Sequence, residues 1–306
     1  MSHLSRREFG ALVAAGAAAT PLVSRAGTHA AATVTAADVV DRIKKNVGVE
    51  WNSATVDTFK AGDPGTIVTG VVTTSMATLD VLQRAVRAGA NLVITAAPTF
   101  YSRADLSTPA VRGLGPGRAA APPPPDPVFA GKNAFIAKHN LVVFRLTQHW
   151  NQRKPDPRAL GLAAAMGWTK YKAGDDALRY VVPAITLEAL ASQLKKTLST
   201  RGGIRAIGDP ATQVRRVGLL PGYTAIQASI AMLPTVDVIV AGEVQEWESS
   251  TYVQDVVFGG VKKGFISIGR VVNEAPGMQV CAEWLKTLVP EVPVRFITAG
   301  DPYWRP

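Results

Sequence analysis

The chain has 306 residues, of which 47% are hydrophobic and 18% are charged, and its formal net charge is +10. This composition predicts a folded protein with one large apolar core or two moderate ones. Its basic residues are scattered rather than clustered with aromatic side chains, so we expect no nucleic-acid interface. No apolar run reaches the roughly 20 residues that a membrane-spanning helix needs, so we expect no transmembrane segment.

The N-terminal segment has the pattern of an export signal. Arg6 and Arg7 precede a short, weakly hydrophobic run over residues 10–19, and small residues around 28–31 offer a cleavage site. These features predict a twin-arginine signal over residues 1–31 and therefore a periplasmic or extracellular protein. The single cysteine, Cys281, cannot form an internal disulfide, and we expect it in the core.

Residues 32–175 predict a first α/β lobe. Thr35 and Asp38 form a capping box at the start of its first helix. Further helices are predicted over residues 78–88, 129–139 and 158–166, and strands over 67–72, 92–95 and 141–146. A strand, a helix and a strand at this spacing imply a parallel crossover. The proline- and glycine-rich stretch 107–127 predicts a long loop.

Residues 176–306 predict a second lobe with the same alternation. Strands are predicted over residues 180–182, 203–207, 214–219, 236–241, 265–268 and 292–297. Helices are predicted over 186–198, 225–232, 246–258 and 277–288, the last opened by Pro276. No glycine-rich dinucleotide motif and no phosphate loop are found. The predicted fold class is therefore α/β with two similar lobes.

The strand over residues 92–95 is where we first expect a site, because ligands of open α/β sheets bind beyond the carboxyl ends of strands. The next two residues are Ala96 and Ala97, which offer no lone pair, proton or charge. Tyr101 and Arg103 follow in the same loop. The position therefore predicts a binding site but not its chemistry.

Four segments together resemble one family. These segments cover residues 88–95, 142–151, 236–243 and 269–278. In order and spacing they are similar to the Nif-three-like proteins, a family of hexamers with a dinuclear metal centre that includes type 2 GTP cyclohydrolase homologues. The resemblance covers nearly the whole mature chain. It implies two lobes whose mixed sheets face a central cleft, two metal ions in that cleft, and a homo-oligomer, by resemblance a hexamer.

The ligand positions of that family are largely changed in this chain. The residues at these positions are Ala96, Ala97, Arg103, Thr147, Asn151, Arg270 and Glu274, with His149 between Thr147 and Asn151. Only Glu274 matches the family's ligand. Divalent transition metals need several nitrogen, oxygen or sulfur donors, which alanine lacks, and arginine has no acceptor. We therefore predict a decayed dinuclear site, no cofactor, and an exported ligand-binding or scaffold protein.

Other interpretations of the same residues remain open at this point. Arg103 and Arg270 could bind a small anionic ligand in a pocket lined by Tyr101, His149 and Trp150. Glu274 could pair with Arg270 or remain a metal ligand, and His149 could be a residual ligand or a structural histidine.

The alternative function is a hydrolase with a remodelled site. His149, Glu246 and Glu274 would then hold one divalent ion (Zn, Mn or Fe) and act on a nucleotide or another cyclic or phosphorylated compound. The sequence alone leaves open whether the chain is an enzyme.

Overall fold

Two mixed five-stranded sheets with helices packed on them form the part of the chain that a computed structural model describes, residues 33–102, 105 and 126–306. The predicted export signal, Arg103 and residues 107–125 of the predicted loop lie outside these described residues. The prediction of an α/β fold with mixed sheets is confirmed.

The elements follow one another along the chain in the predicted alternation. The strands are β1 Phe59–Ala61, β2 Val71–Thr74, β3 Leu92–Thr95, β4 Val142–Arg145, β5 Arg179–Thr186, β6 Arg205–Ile207, β7 Gln213–Tyr223, β8 Val238–Glu243, β9 Gly264–Ser267 and β10 Val294–Phe296. The helices are α1 Ala36–Asn46, α2 Leu79–Arg87, α3 Pro127–Lys138, α4 Gln148–Gln152, α5 Pro157–Ala165, α6 Leu187–Thr197, α7 Ile226–Met232, α8 Thr251–Phe258 and α9 Arg270–Leu288.

The first sheet has the order β1-β4-β3-β2-β10, in which only the edge strand β1 is antiparallel to its neighbour. The parallel pairing of β2 with β3 confirms the predicted crossover. Strand β10 pairs with β2, although it comes from the last part of the sequence. One face of this sheet packs against α1 and the second half of α9, and the other face packs against α2 and α3.

The second sheet has the order β5-β7-β8-β9-β6, with a parallel centre and an antiparallel strand at each edge. Its two faces bury separate apolar clusters, one against α5 and α6 and the other against α7 and α8. Strands β8 and β9 are short and nearly all buried, as expected for strands covered on both sides.

Several local predictions are confirmed. Thr35 and Asp38 form the capping box of α1, in which each side chain accepts from the other's backbone N–H. Thr186 caps α6. Strand β3 has the predicted bounds. Cys281 is fully buried, as predicted, and burial raises the pKa of its thiol.

Other local predictions were wrong. The strand predicted over 67–72 lies at 71–74. The helix predicted to open at Pro276 begins at Arg270 and contains Pro276 in its interior. Gly269, with φ of 83°, turns the chain from β9 directly into this helix, so the start of the helix precedes the proline by almost two turns.

Helix α9 connects the two sheets and sets the geometry of the site. Its first half crosses α5 so closely that a Cβ on Gly161 would lie 2.5 Å from the carbonyl oxygen of Pro276. A Cβ on Gly277 would lie 2.8 Å from the Cα of Arg158. Its second half lies in the core of the first sheet. The glycines therefore bring the start of α9 and the start of α5 together. No helix within the described ranges is long and apolar enough to cross a bilayer.

Candidate functional site

The carboxyl ends of strands from both sheets supply the residues at the predicted ligand positions. In the first sheet, Thr74, Thr95 and Arg145 stand in register at the ends of β2, β3 and β4. In the second sheet, Gly242 and Glu243 end β8, and α9 starts just after β9. Acidic and basic side chains lie near both edges. Burial lowers the pKa of Arg145, and the positive charge of Arg270 is near enough to add to this effect. We name these regions the first-sheet edge and the second-sheet edge.

Ala96 and Ala97 are buried at the first-sheet edge, where they continue the pairing with the end of β2. The backbone N–H of Ala96 donates to the carbonyl of Thr74, and that of Ala97 donates to the carbonyl of Ser75. The carbonyl of Ala96 accepts from the hydroxyl of Thr147. The two positions that the resemblance assigned to ligands therefore contribute only backbone groups, and the hydroxyl of Thr147 donates to one of these.

Asp57 organises the loop after β4, and nothing in the sequence signals this role. One of its oxygens accepts from the backbone N–H of Thr147 at 2.6 Å and of Gln148 at 3.0 Å. The other accepts from the backbone N–H of His149 at 2.9 Å. This carboxylate caps the N-terminus of α4 from a position about ninety residues earlier, where negative charge also favours the helix dipole.

Both ring nitrogens of His149 are used inside the protein. Nδ1 lies 2.8 Å from the Asp57 carboxylate, and Nε2 accepts from the backbone N–H of Asn52 at 3.0 Å. The ring stacks on Trp51 with centroids 3.7 Å apart and is 1% exposed. The imidazole has no free lone pair, so its position does not support the expected role as a ligand or pocket-lining residue.

The remaining predicted pocket residues lie apart from one another. Trp150 is 1% exposed and packs on Trp284 in the core of the first sheet, so it lines no surface pocket. Tyr101 is 64% exposed, with the ammonium of Lys132 over its ring at 5.0 Å. Asn151, at another family ligand position, has a buried Oδ1 without a partner among the described residues. Arg103 lies outside the described residues.

Three buried charges close the first-sheet edge. Asp105 accepts from the backbone N–H groups of Thr99 at 2.6 Å and Phe100 at 2.7 Å, and its second oxygen lies 3.8 Å from Arg145. Lys132 donates to the carbonyl of Thr99 at 2.6 Å. Burial lowers the pKa of Lys132 to about 8, and the nearby Asp105 opposes this shift only in part. These groups hold the loop after β3 against the sheet.

Glu274 is buried between two arginines at the second-sheet edge. It is 2% exposed, and its oxygens lie 3.2 Å from Arg270 and 3.9 Å from Arg158. Arg270 also reaches the half-exposed Glu243 at 3.6 Å. Gly222, with φ of 78°, allows this packing, because a Cβ there would lie 2.7 Å from Glu274. We call Arg158, Arg270, Glu243 and Glu274 the arginine–glutamate network.

The donor set at these positions does not fit a metal ion. The side chains of Ala96 and Ala97 have no donor atoms, and the guanidinium of Arg270 already donates to a carboxylate oxygen of Glu274 at 3.2 Å. Within residues 33–102, 105 and 126–306, no three His, Cys, Asp or Glu side chains form a group that could hold a metal. Transition metals in proteins need several such donors.

A cavity of about 710 Å³ opens beside Arg270. Its walls come from the ends of β8 and β9, the first turn of α9, Met76 after β2, and residues 301–305. The lining includes Arg205, Gly242, Gly269, Arg270, Tyr303 and Trp304. The volume lies within the range of small-molecule sites, and its place beyond the strand ends matches the usual position of ligands in α/β sheets.

The sequence offered weak signals for the residues that it did not predict. Arg158 follows Asp156 and Pro157, a helix start, but its partner Glu274 is more than a hundred residues away. Lys132 lies in a helical stretch that shows nothing unusual for a lysine. Trp304, near other aromatic and basic residues, was the clearest signal that could have been used.

Comparison with known proteins identifies relatives of this architecture. A sequence model of the Duf34/NIF3 (NGG1p interacting factor 3) family matches residues 126–302. No curated protein sequence is significantly similar to the chain.

Solved structures share the fold at low sequence identity. The hypothetical protein SA1388 of Staphylococcus aureus is 15% identical, with a TM-score of 0.66 over 90% of this chain and 100% of that chain. The Bacillus cereus protein related to NIF3 is 12% identical, with a TM-score of 0.66 over 90% and 100%. Reduced HcgD from Methanocaldococcus jannaschii is 13% identical, with a TM-score of 0.55 over 86% and 98%. At these identities the likeness shows the fold alone.

Proposed function

This chain belongs to the Duf34/NIF3 family, and we propose that it is an exported member with a decayed dinuclear metal site that binds a small anionic ligand in the cavity beside Arg270. The observation that carries the proposal is the position of Glu274, buried between Arg158 and Arg270. Glu274 is the one residue that matches a ligand of the family, and the guanidinium groups of Arg158 and Arg270 neutralise its charge in place of metal cations.

The charge at this position supports an anion as the ligand. A guanidinium cannot lose its proton at physiological pH and presents several donors in a plane, which suits a carboxylate or phosphate. Arg270 lines the cavity, and its guanidinium lies 3.6 Å from the carboxylate of Glu243, a half-exposed residue. A ligand anion entering the cavity can replace this weakly held carboxylate, whereas Glu274 stays bound behind it.

A hydrolase with a remodelled site is less well supported. Catalysis would need His149, Glu246 and Glu274 at one point. His149 is enclosed by Asp57 and Asn52, Glu246 pairs with Arg205 at the surface, and Glu274 pairs with Arg270. No contact among the described residues joins these three side chains. A general base must reach the proton that it abstracts, and His149 has no open side.

Export by the twin-arginine route and assembly into a homo-oligomer are parts of the same proposal. Export rests on Arg6 and Arg7 before the short apolar run. Assembly rests on family membership. Fractionation of cells that express the full chain, and light scattering of the mature protein, test these two parts.

Elemental analysis and calorimetry of the mature protein test the central proposal. We expect less than one equivalent of any transition metal per chain, and binding of phosphate or acetate that Arg270→Ala weakens at least tenfold. Arg179→Ala is the matched control, because Arg179 is a partly exposed arginine that pairs with Asp176 away from the cavity. Two stoichiometric metals per chain, or anion binding unchanged by Arg270→Ala, would overturn the proposal.

A further inference from the structure

Residues 298–306 cross from the first sheet to the second, and residues 301–305 of this segment form one wall of the cavity. They follow β10, and Arg84 on α2 donates to the carbonyl of Thr298. Further along, the carboxylate of Asp301 accepts from the backbone N–H of Gly202 at 2.9 Å. The side chain of Arg305 donates to the carbonyls of Gly202 at 2.8 Å and Ile204 at 3.2 Å.

Two glycines shape the surface that this segment covers. A Cβ on Gly202 would overlap the Cβ of Tyr303, and a Cβ on Gly203 would lie 2.7 Å from the Nε of Arg305. A side chain at position 202 would force the segment away, because it would meet the Cβ and backbone of Tyr303, whereas one at position 203 would displace the side chain of Arg305. The turn before β6 is therefore built for the close approach of residues 301–305.

The segment places aromatic rings on a cavity that also contains arginines. Tyr303 and Trp304 line the cavity and are 72% and 68% exposed, so most of their surface is available for contact. Arg205, Arg270 and Arg305 line the same cavity. The charge of Arg305 meets only backbone carbonyls among the described residues. Such rings contribute contact area to planar ligands, and the guanidinium groups contribute charge and a flat stacking surface.

From this combination we infer that the cavity selects planar aromatic anions, in which a ring system carries a carboxylate. The ring lies against the aromatic wall of residues 303–304, and the carboxylate is held by the arginine side of the cavity. This inference rests on the proposed function, because it assumes that the cavity beside Arg270 binds an anion. It specifies the chemical class of the ligand and attributes the selectivity for planar rings to the 298–306 segment.

A matched pair of probes separates the ring from the charge. We use 2-naphthoate and decahydro-2-naphthoate, which carry the same carboxylate on a planar and on a saturated ring system. Calorimetry on the mature protein is expected to show about fivefold tighter binding of 2-naphthoate, in line with the energy of an aromatic pair. Trp304→Ala is expected to remove this preference and Trp304→Phe to retain most of it.

Two further variants complete the experiment. Trp247→Ala is the control, because Trp247 is 74% exposed and lies outside the cavity lining. Gly202→Val displaces the segment and is expected to act like Trp304→Ala. Equal binding of the two probes, or a preference that survives Trp304→Ala, overturns the inference while the proposed function stands. Binding of neither carboxylate probe, nor of phosphate or acetate, overturns the proposed function itself.

Discussion

The two sheet edges use their charged residues in opposite ways. The first-sheet edge contains three buried side chains, Asp57, His149 and Asp105. Both carboxylates accept from backbone N–H groups, and Asp57 also pairs with the ring of His149. At the second-sheet edge, Arg270 and Glu243 keep part of their surface open beside a cavity. The same kind of position, just beyond parallel strands, is therefore closed by buried hydrogen bonds in one sheet and open to a cavity in the other, where we propose that a ligand binds.

This difference predicts that substitutions at the two edges separate stability from binding. A charge sealed inside the protein costs several kcal/mol when its partner is removed, whereas an exposed pair costs little. Changes at the first-sheet edge should lower the free energy of unfolding and leave anion affinity unchanged. Changes to the exposed cavity arginine of the second-sheet edge, Arg205, should lower anion affinity and leave the free energy of unfolding nearly unchanged.

Asp57→Ala is expected to have the largest effect. It removes the cap of α4 and leaves three backbone N–H groups and the His149 ring without their acceptor. We expect a loss of about 3–5 kcal/mol in the free energy of unfolding, measured with urea. Asp255→Ala, at an exposed position of α8, is the control and should change it by less than about 0.5 kcal/mol. A small loss for Asp57→Ala would mean that this edge is not a structural site.

The buried Lys132 makes the free energy of unfolding depend on pH. Its pKa is about 8 in the folded protein, against 10.5 ordinarily. The unfolded chain therefore holds more protons between these values, and the free energy of unfolding rises with pH across that window. The contribution is about 3 kcal/mol.

Urea titrations at pH 7.5 and 10.5 measure this contribution. Wild type should gain about 3 kcal/mol relative to Lys132→Met, which has no amine to titrate. Lys138→Met, an exposed lysine on the same helix, should show the wild-type pH dependence. If wild type and Lys132→Met respond equally to pH, the burial of Lys132 at this edge is wrong.

Glu274→Gln tests the buried part of the second-sheet edge, where a substitution should change both stability and binding. It leaves Arg158 and Arg270 without their shared carboxylate, so we expect a loss of about 1–3 kcal/mol in the free energy of unfolding. The freed Arg270 should also bind acetate severalfold more tightly, since one competing negative charge is gone. Calorimetry with acetate checks this gain. A metal ligand would show the opposite behaviour, with loss of bound metal and no gain for anions.

The sequence predicted the fold better than the site, for a physical reason. Strand and helix periodicity depends on neighbours a few residues apart, and β3, α1 and α6 were therefore located well. The site depends on pairs such as Asp57 with His149 and Arg158 with Glu274, which lie far apart in sequence. No periodic pattern carries such a pairing. The start of α9 was also missed, because Pro276 resembled a first-turn proline.

The positions at the strand ends were predicted correctly, but their environment was not. His149 follows a strand as a ligand would, and only the three-dimensional structure shows Asp57 and Asn52 on its two nitrogens. Arg270 and Glu274 are four residues apart, which on a helix brings them together. That pair was the one part of the site whose contact could be expected from spacing, and it is formed at 3.2 Å.

Arg205→Ala is expected to have the smallest effect on stability and so gives the most selective test of the second-sheet edge. Arg205 lines the cavity, its side chain is 60% exposed, and it pairs with the exposed Glu246. The free energy of unfolding should change by less than about 0.5 kcal/mol, because an exposed ion pair is screened and loses side-chain freedom. The affinity for 2-naphthoate should fall about two- to threefold at low salt, and the difference from wild type should shrink in 0.5 M NaCl. Lys286→Ala, which removes an exposed partner of Glu283 outside the cavity lining, should alter neither quantity. A loss of stability for Arg205→Ala as large as that of Glu274→Gln would make both edges structural and remove the distinction between them.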